Sequence, residues 1–149
     1  MYILNKIDAL EWIRKTIEKM ENHETEDRLE WNRFWEETYF ELGGKSYSVA
    51  HKGCPKKAGY TLWYLGRIKG SNRERVEMPI DEVTNRCSKN GAYAILGQEI
   101  LSKSSNLNKT DLFRMIQDEY RIRTKDDPAK SDQGGPTLTW ILFKAEMLK

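Results

Sequence analysis

Histidine, cysteine and proline are scarce in this chain, at two, two and four of 149 residues. Cys54 and Cys87 can form one disulfide at most, too little cross-linking for a small secreted framework, and no CxxC spacing occurs. With only His23 and His51 there is no HxxxH or HExxH pair, and these four scattered residues do not make a four-ligand zinc site. Neither a metal nor a cofactor is expected. No apolar run approaches the roughly 20 residues of a membrane helix. The opening stretch Met1–Asp8 meets charge at Lys6 and Asp8, too early for the apolar region of a signal peptide, so the expected location is cytoplasmic. Glycine-rich phosphate loops and internal repeats are also missing.

Aromatic mass and charge are what the chain has. Five Trp, seven Tyr and four Phe within a 38% hydrophobic composition argue against disorder, while 32% charged residues and a mean hydropathy of −0.78 call for an extensive wet surface. The length suits one domain spanning 1–149. The formal net charge of +2 conceals an asymmetry. Residues 1–44 hold eleven acidic against six basic residues, 45–75 hold eight basic against one acidic, and 76–149 hold eleven of each. A local positive field of this kind attracts phosphate-bearing partners, or else complements the acidic stretch of the same or a second molecule.

Apolar residues recur at helical spacing. Ile7, Leu10, Ile13, Ile17 and Met20 predict a helix over 5–20. A second helix is expected over 27–42, with Leu29, Trp31, Phe34, Trp35, Thr38, Tyr39 and Leu42 on a wide face; burial in the core is favoured over a partner surface or a cage for a cation. Gly43-Gly44 ends it. Alternation over 45–50 predicts a short strand or extended connector, and Pro55 opens a helix for which Gly66 and Gly70 offer ends or close-packing points. Residues 71–79 read as a loop or short edge strand, and 80–102 as one helix or two broken near Ser88-Lys89-Asn90-Gly91. Asn108 caps a helix running to about Tyr120, and a mobile loop precedes a last helix from Pro136 through Leu148. The fold class is mainly α, a compact five- or six-helix single domain with a short extended element.

The binding candidate is the start of the middle helix. Leading N–H groups of a helix lack intrahelical partners, and the helix dipole favours an anion beside them. At Gly53, Cys54 and Pro55 this feature coincides with Lys52, Lys56 and Lys57, and Tyr47 or Tyr60 offers a ring for stacking on a base. Arg67, Lys69, Arg73 and Arg75 extend the positive surface. A second glycine-bearing start, Gly134 and Gly135 with Thr137, is available to approach the same ligand. Catalysis is weakly supported. His51 and Cys54 are three residues apart with no third group to orient them, and no catalytic residue is assigned.

The segment Cys54-Pro55-Lys56-Lys57-Ala58, followed by Leu62, Leu65-Gly66, Lys69-Gly70 and then Asn90-Gly91-Ala92-Tyr93-Ala94, resembles parts of an uncharacterised family of small bacterial and phage proteins. The resemblance covers the middle of the chain, implies a part in phage–host conflict and carries no activity with it. The expected function is non-catalytic binding of a phosphorylated small molecule, such as a signalling nucleotide. The alternatives are a protein-interaction module, as a homodimer or against a host protein, and non-specific nucleic-acid binding. No contact with a membrane is expected.

Overall fold

The computed structural model describes residues 2–149. Strands β1 (Ile3–Leu4) and β2 (Ile7–Asp8) pair antiparallel, with Leu4 opposite Ile7. The two turn residues, Asn5 and Lys6, both take left-handed backbone, at φ 51° and 67°, as the tightest hairpin turns require. This hairpin corrects the helix expected from residue 5. The helix instead begins after Asp8, whose carboxylate accepts the N–H groups of Leu10 and Glu11 and starts α1 (Ala9–Asn22).

Asp27 caps α2 (Arg28–Glu41) in the same way, and the chain leaves it through Gly43 at φ 99°. The extended element expected over 45–50 is a helical turn. Ser46 accepts the N–H of Val49 and caps α3 (Tyr47–Ala50). α4 (Gly53–Tyr64) follows. A loop over 65–79 is pinned where Val76 N–H bonds the Leu65 carbonyl, and it leads to α5 (Ile80–Arg86). α6 (Lys89–Lys103) is capped by Ser88, so the break falls just before Lys89, and Asn90-Gly91 lies inside the first turn of the new helix. Asn108 caps α7 (Lys109–Thr124), which extends past Tyr120. α8 (Gly135–Lys144) stops short of Leu148, which forms an isolated antiparallel bridge with Ile68. Among the described residues there are therefore eight helical segments, one of them a single turn, against the five or six expected.

α4 lies at the centre, packed on α6 and α8, while α1 and α2 pack on each other and bring their aromatic face to it. Trp12 stacks on Trp35 at 4.2 Å, Trp35 on Trp31 at 6.1 Å, and Trp31 on Trp63 at 5.7 Å, a row of indoles running from α1 through α2 to α4. All four are buried, each removing roughly 150–250 Å² from water. Three have partners for their N–H groups: the Trp35 carbonyl, the Lys56 carbonyl and the Glu21 carboxylate. The aromatic face of α2 is core, as favoured, except that Leu29 at its first turn is 74% exposed. Between α4 and α6 the approach is close. A Cβ built on Gly91 would lie 2.1 Å from Thr61 Oγ1. Among the described residues, no helix is long and apolar enough to cross a membrane.

Candidate functional site

Lys52 occupies the cap position of α4 and its ammonium cannot accept a hydrogen bond, so the helix has no side-chain cap. Pro55 removes one N–H from the first turn. The N–H groups of Gly53 and Cys54 find no acceptor among the described residues. Lys52 and Lys57 are exposed, and the Lys57 stem folds back over the helix start, its Nζ 3.8 Å from where a Gly53 Cβ would stand. The opening of α4 thus keeps free donors beside two solvated ammonium groups, an arrangement that favours an anion.

The second glycine-bearing start reaches the same place. A Cβ on Gly134 would lie 3.2 Å from Pro55 Cδ, and one on Gly135 would lie 3.4 Å from both Ala58 Cβ and the Cys54 carbonyl oxygen. The starts of α4 and α8 therefore form one corner. At α8, however, the chain supplies its own anion. The Asp132 carboxylate accepts the Gly134 N–H at 2.8 Å and the Thr137 hydroxyl at 2.7 Å. Thr137 is committed to Asp132, and α8 contributes shape to the corner without a free hydroxyl.

Two of the expected ligand-binding side chains are drawn inward. Lys56 is 7% exposed and its ammonium lies 2.7 Å from Glu36 Oε2 on α2, because the helical rotation that sets Lys52 and Lys57 outside turns Lys56 toward the acidic helix. Tyr60 is 8% exposed, stacks on Tyr64 at 5.4 Å and donates its hydroxyl hydrogen to the Glu26 carbonyl at 2.7 Å. Burial, with Tyr64 and Cys87 adding to it, pushes its phenol well above the ordinary range. Tyr47 stays at the surface. It is 72% exposed, with one face covered by His51 at 3.9 Å.

His51 is oriented away from nucleophile chemistry. Its Nδ1 lies 2.9 Å from the Tyr47 carbonyl and its Nε2 2.9 Å from Glu36 Oε1, so both ring nitrogens are taken by partners other than Cys54. Glu36 consequently ties α2 to the residues flanking the α4 start on both sides. Cys54 is half-buried and free, and among the described residues no cluster of three or more His, Cys, Asp or Glu is placed to hold a metal ion.

The arginines expected to extend the surface are engaged by partners within the molecule. Arg67 is fully buried; it donates to Gln98 Oε1 at 2.8 Å and to the Val76 carbonyl at 3.3 Å, with Glu77 at 3.3 Å. Burial above all, then the neighbouring Arg75, lowers its pKa. Arg73 bonds Glu26 and the Tyr64 carbonyl and lies over the rings of Trp63 and Tyr64. Arg75 bonds Glu77. What was missed from the sequence is the acceptor side: Glu36 and Asp132 decide which cations and donors stay free. Asp132 stands two residues before the glycine pair, the spacing of an Asx turn, and was legible in principle. Glu36 was not, since its partners come from other elements.

Residues 11–128 match the family model described as "Family of unknown function (DUF6979)". The match covers α2 through α7, including the α4 start, and leaves the hairpin and α8 outside. It says nothing of a bacterial or phage source. No curated protein and no solved structure matches the chain.

Proposed function

We propose that this chain, which belongs to the family of unknown function (DUF6979), captures a phosphorylated small molecule without transforming it, at the corner where α4 and α8 begin. One observation carries the reading: the uncapped first turn of α4, with the Gly53 and Cys54 N–H groups open to an anion and Lys52 and Lys57 exposed beside them. The phosphate lies on these donors, and the free face of Tyr47, on the adjoining turn, is the support for a base. Lys56 does not touch the ligand. It holds Glu36 and, with His51, keeps the flank of the corner in place.

The test is a titration of the folded, full chain with inorganic phosphate, mono- and dinucleotides, and short single- and double-stranded oligonucleotides. Backbone amide resonances of Gly53 and Cys54 should shift on saturable binding that weakens with salt, and K57E or K52E should weaken it about ten-fold. Silence across the panel, or binding indifferent to both charge reversals, rejects the reading. A response confined to oligonucleotides would convert it to nucleic-acid binding. Interaction with a second copy or another protein draws less support from charge complementarity, because part of the acidic and basic segments already meets within one chain through Glu36–Lys56 and Glu26–Arg73.

A further inference from the structure

A cleft of about 580 Å³ opens on the other flank of α3, between the hairpin turn and the end of α2, and shares no lining residue with the corner at α4. Its volume suits a small molecule. The chain reaches this geometry through three local decisions. The left-handed turn at Asn5 and Lys6 lifts Lys6 onto one wall. The exit of α2 through Gly43-Gly44 brings the backbone against the Tyr39 ring, where a Cβ on Gly44 would lie 2.3 Å from the ring. The segment leading into the Ser46 cap then brings Lys45 onto the lining as well.

The charges lining the cleft are of one sign. Lys6 and Lys45 are exposed, and neither has an acidic partner among the described residues. No carboxylate lines the cleft. The nearest acids in sequence are committed elsewhere, Asp8 to the cap of α1 and Glu41 to Lys19 at 2.8 Å. Tyr39 adds a donor. Its phenolic oxygen, part-buried, accepts the N–H groups of Lys45 at 3.2 Å and Ser46 at 3.1 Å, which leaves its own hydrogen without an acceptor among the described residues. Ile7 and Val49 supply apolar surface between these polar groups.

We infer that this cleft binds a small organic anion, a carboxylate or phosphate monoester whose charged end meets Lys6, Lys45 and the Tyr39 hydroxyl while its short apolar body lies on Ile7 and Val49. The site is separate from the corner at α4 and makes no use of its residues. The probes are phenyl phosphate and benzoate, with benzylamine and benzyl alcohol as cationic and neutral analogues of similar size, titrated into the full chain under amide NMR.

Both anions should shift the Lys45, Ser46 and Val49 amides saturably, and the tighter of the two identifies the preferred headgroup. Inorganic phosphate should bind more weakly than phenyl phosphate. K6E and K45E should each weaken binding about ten-fold, K6Q and K45Q less, and K57E not at all; circular dichroism confirms that each variant is folded. The inference is overturned if neither anion gives a saturable response, if benzylamine or benzyl alcohol binds as well as the anions, or if K6E and K45E leave the titration unchanged. Because the corner depends on Lys52 and Lys57 and the cleft on Lys6 and Lys45, failure of either leaves the other standing.

Discussion

Replacing Lys56 by methionine keeps most of its stem and deletes the ammonium that Glu36 holds at 2.7 Å. Lys56 is 9% exposed at its side chain and Glu36 21%, so the pair is screened less than a surface bridge, and the variant leaves a half-buried carboxylate with His51 as its remaining partner. A loss of about 1–3 kcal/mol is expected in urea unfolding, below the full cost of breaking a buried pair because water still reaches Glu36. Phosphate binding should survive at urea concentrations where the variant is folded. A variant of unchanged stability that no longer binds phosphate would return Lys56 to the ligand. The same residue marks the limit of counting charge along a sequence. Lys52, Lys56 and Lys57 look equivalent in the chain, but helical rotation and the facing Glu36 separate them into two solvated cations and one internal partner.

At the scale of elements, the α4–α6 contact depends on an absent side chain. Gly91 to Ala adds a Cβ where Thr61, itself fully buried, leaves 2.1 Å. Although alanine is the better helix former, overpacking should prevail and cost about 1–3 kcal/mol, seen as a lower thermal midpoint. An unchanged or raised midpoint would show that α6 shifts freely along α4. Gly91 also shows where local reading misleads. Asn90-Gly91 carries a turn signal, but the Ser88 cap places it in the first turn of α6 and the glycine serves close packing. Signals that act within a few residues were legible: Asn108 ahead of α7, Gly43-Gly44 behind α2, Pro55 in the first turn of α4. The hairpin was not, because Ile7 has a helical partner set in the sequence and Asn5-Lys6 lacks the glycine that usually announces such a turn. Alternation over 45–50 is too short to distinguish a strand from one helical turn, and the Ser46 cap settled it. Misreading these two short segments concealed the cleft, since its lysines stand on them.

For the whole molecule, buried acids of high pKa set a limit at alkaline pH. Burial raises the Cys87 thiol above its ordinary value of 9.0, outweighing the opposing influences of Thr61, Arg28 and Arg86. It raises Tyr93 above 10.0, and Tyr60 further still. Each keeps its proton in the folded state at a pH where the unfolded chain has lost it, so the unfolded state binds fewer protons and stability falls as pH rises. The contribution is fully present below the unfolded values. The urea midpoint should be flat near neutrality and decline from about pH 9 upward, and Tyr60→Phe, less stable at neutral pH for want of its bond to Glu26, should decline less steeply. A midpoint constant to about pH 11 would contradict the burial of all three.

The indole row from α1 to α4 has an optical consequence. Transition dipoles on Trp12, Trp35, Trp31 and Trp63 are near enough to mix, so the intact core should imprint a bisignate exciton band on the far-ultraviolet circular dichroism, separable from the helical signal by Trp35→Phe. That band depends on three helices holding their mutual angles. Its disappearance at constant helicity would register a parting of α1 and α2 from α4 that no measure of secondary structure detects.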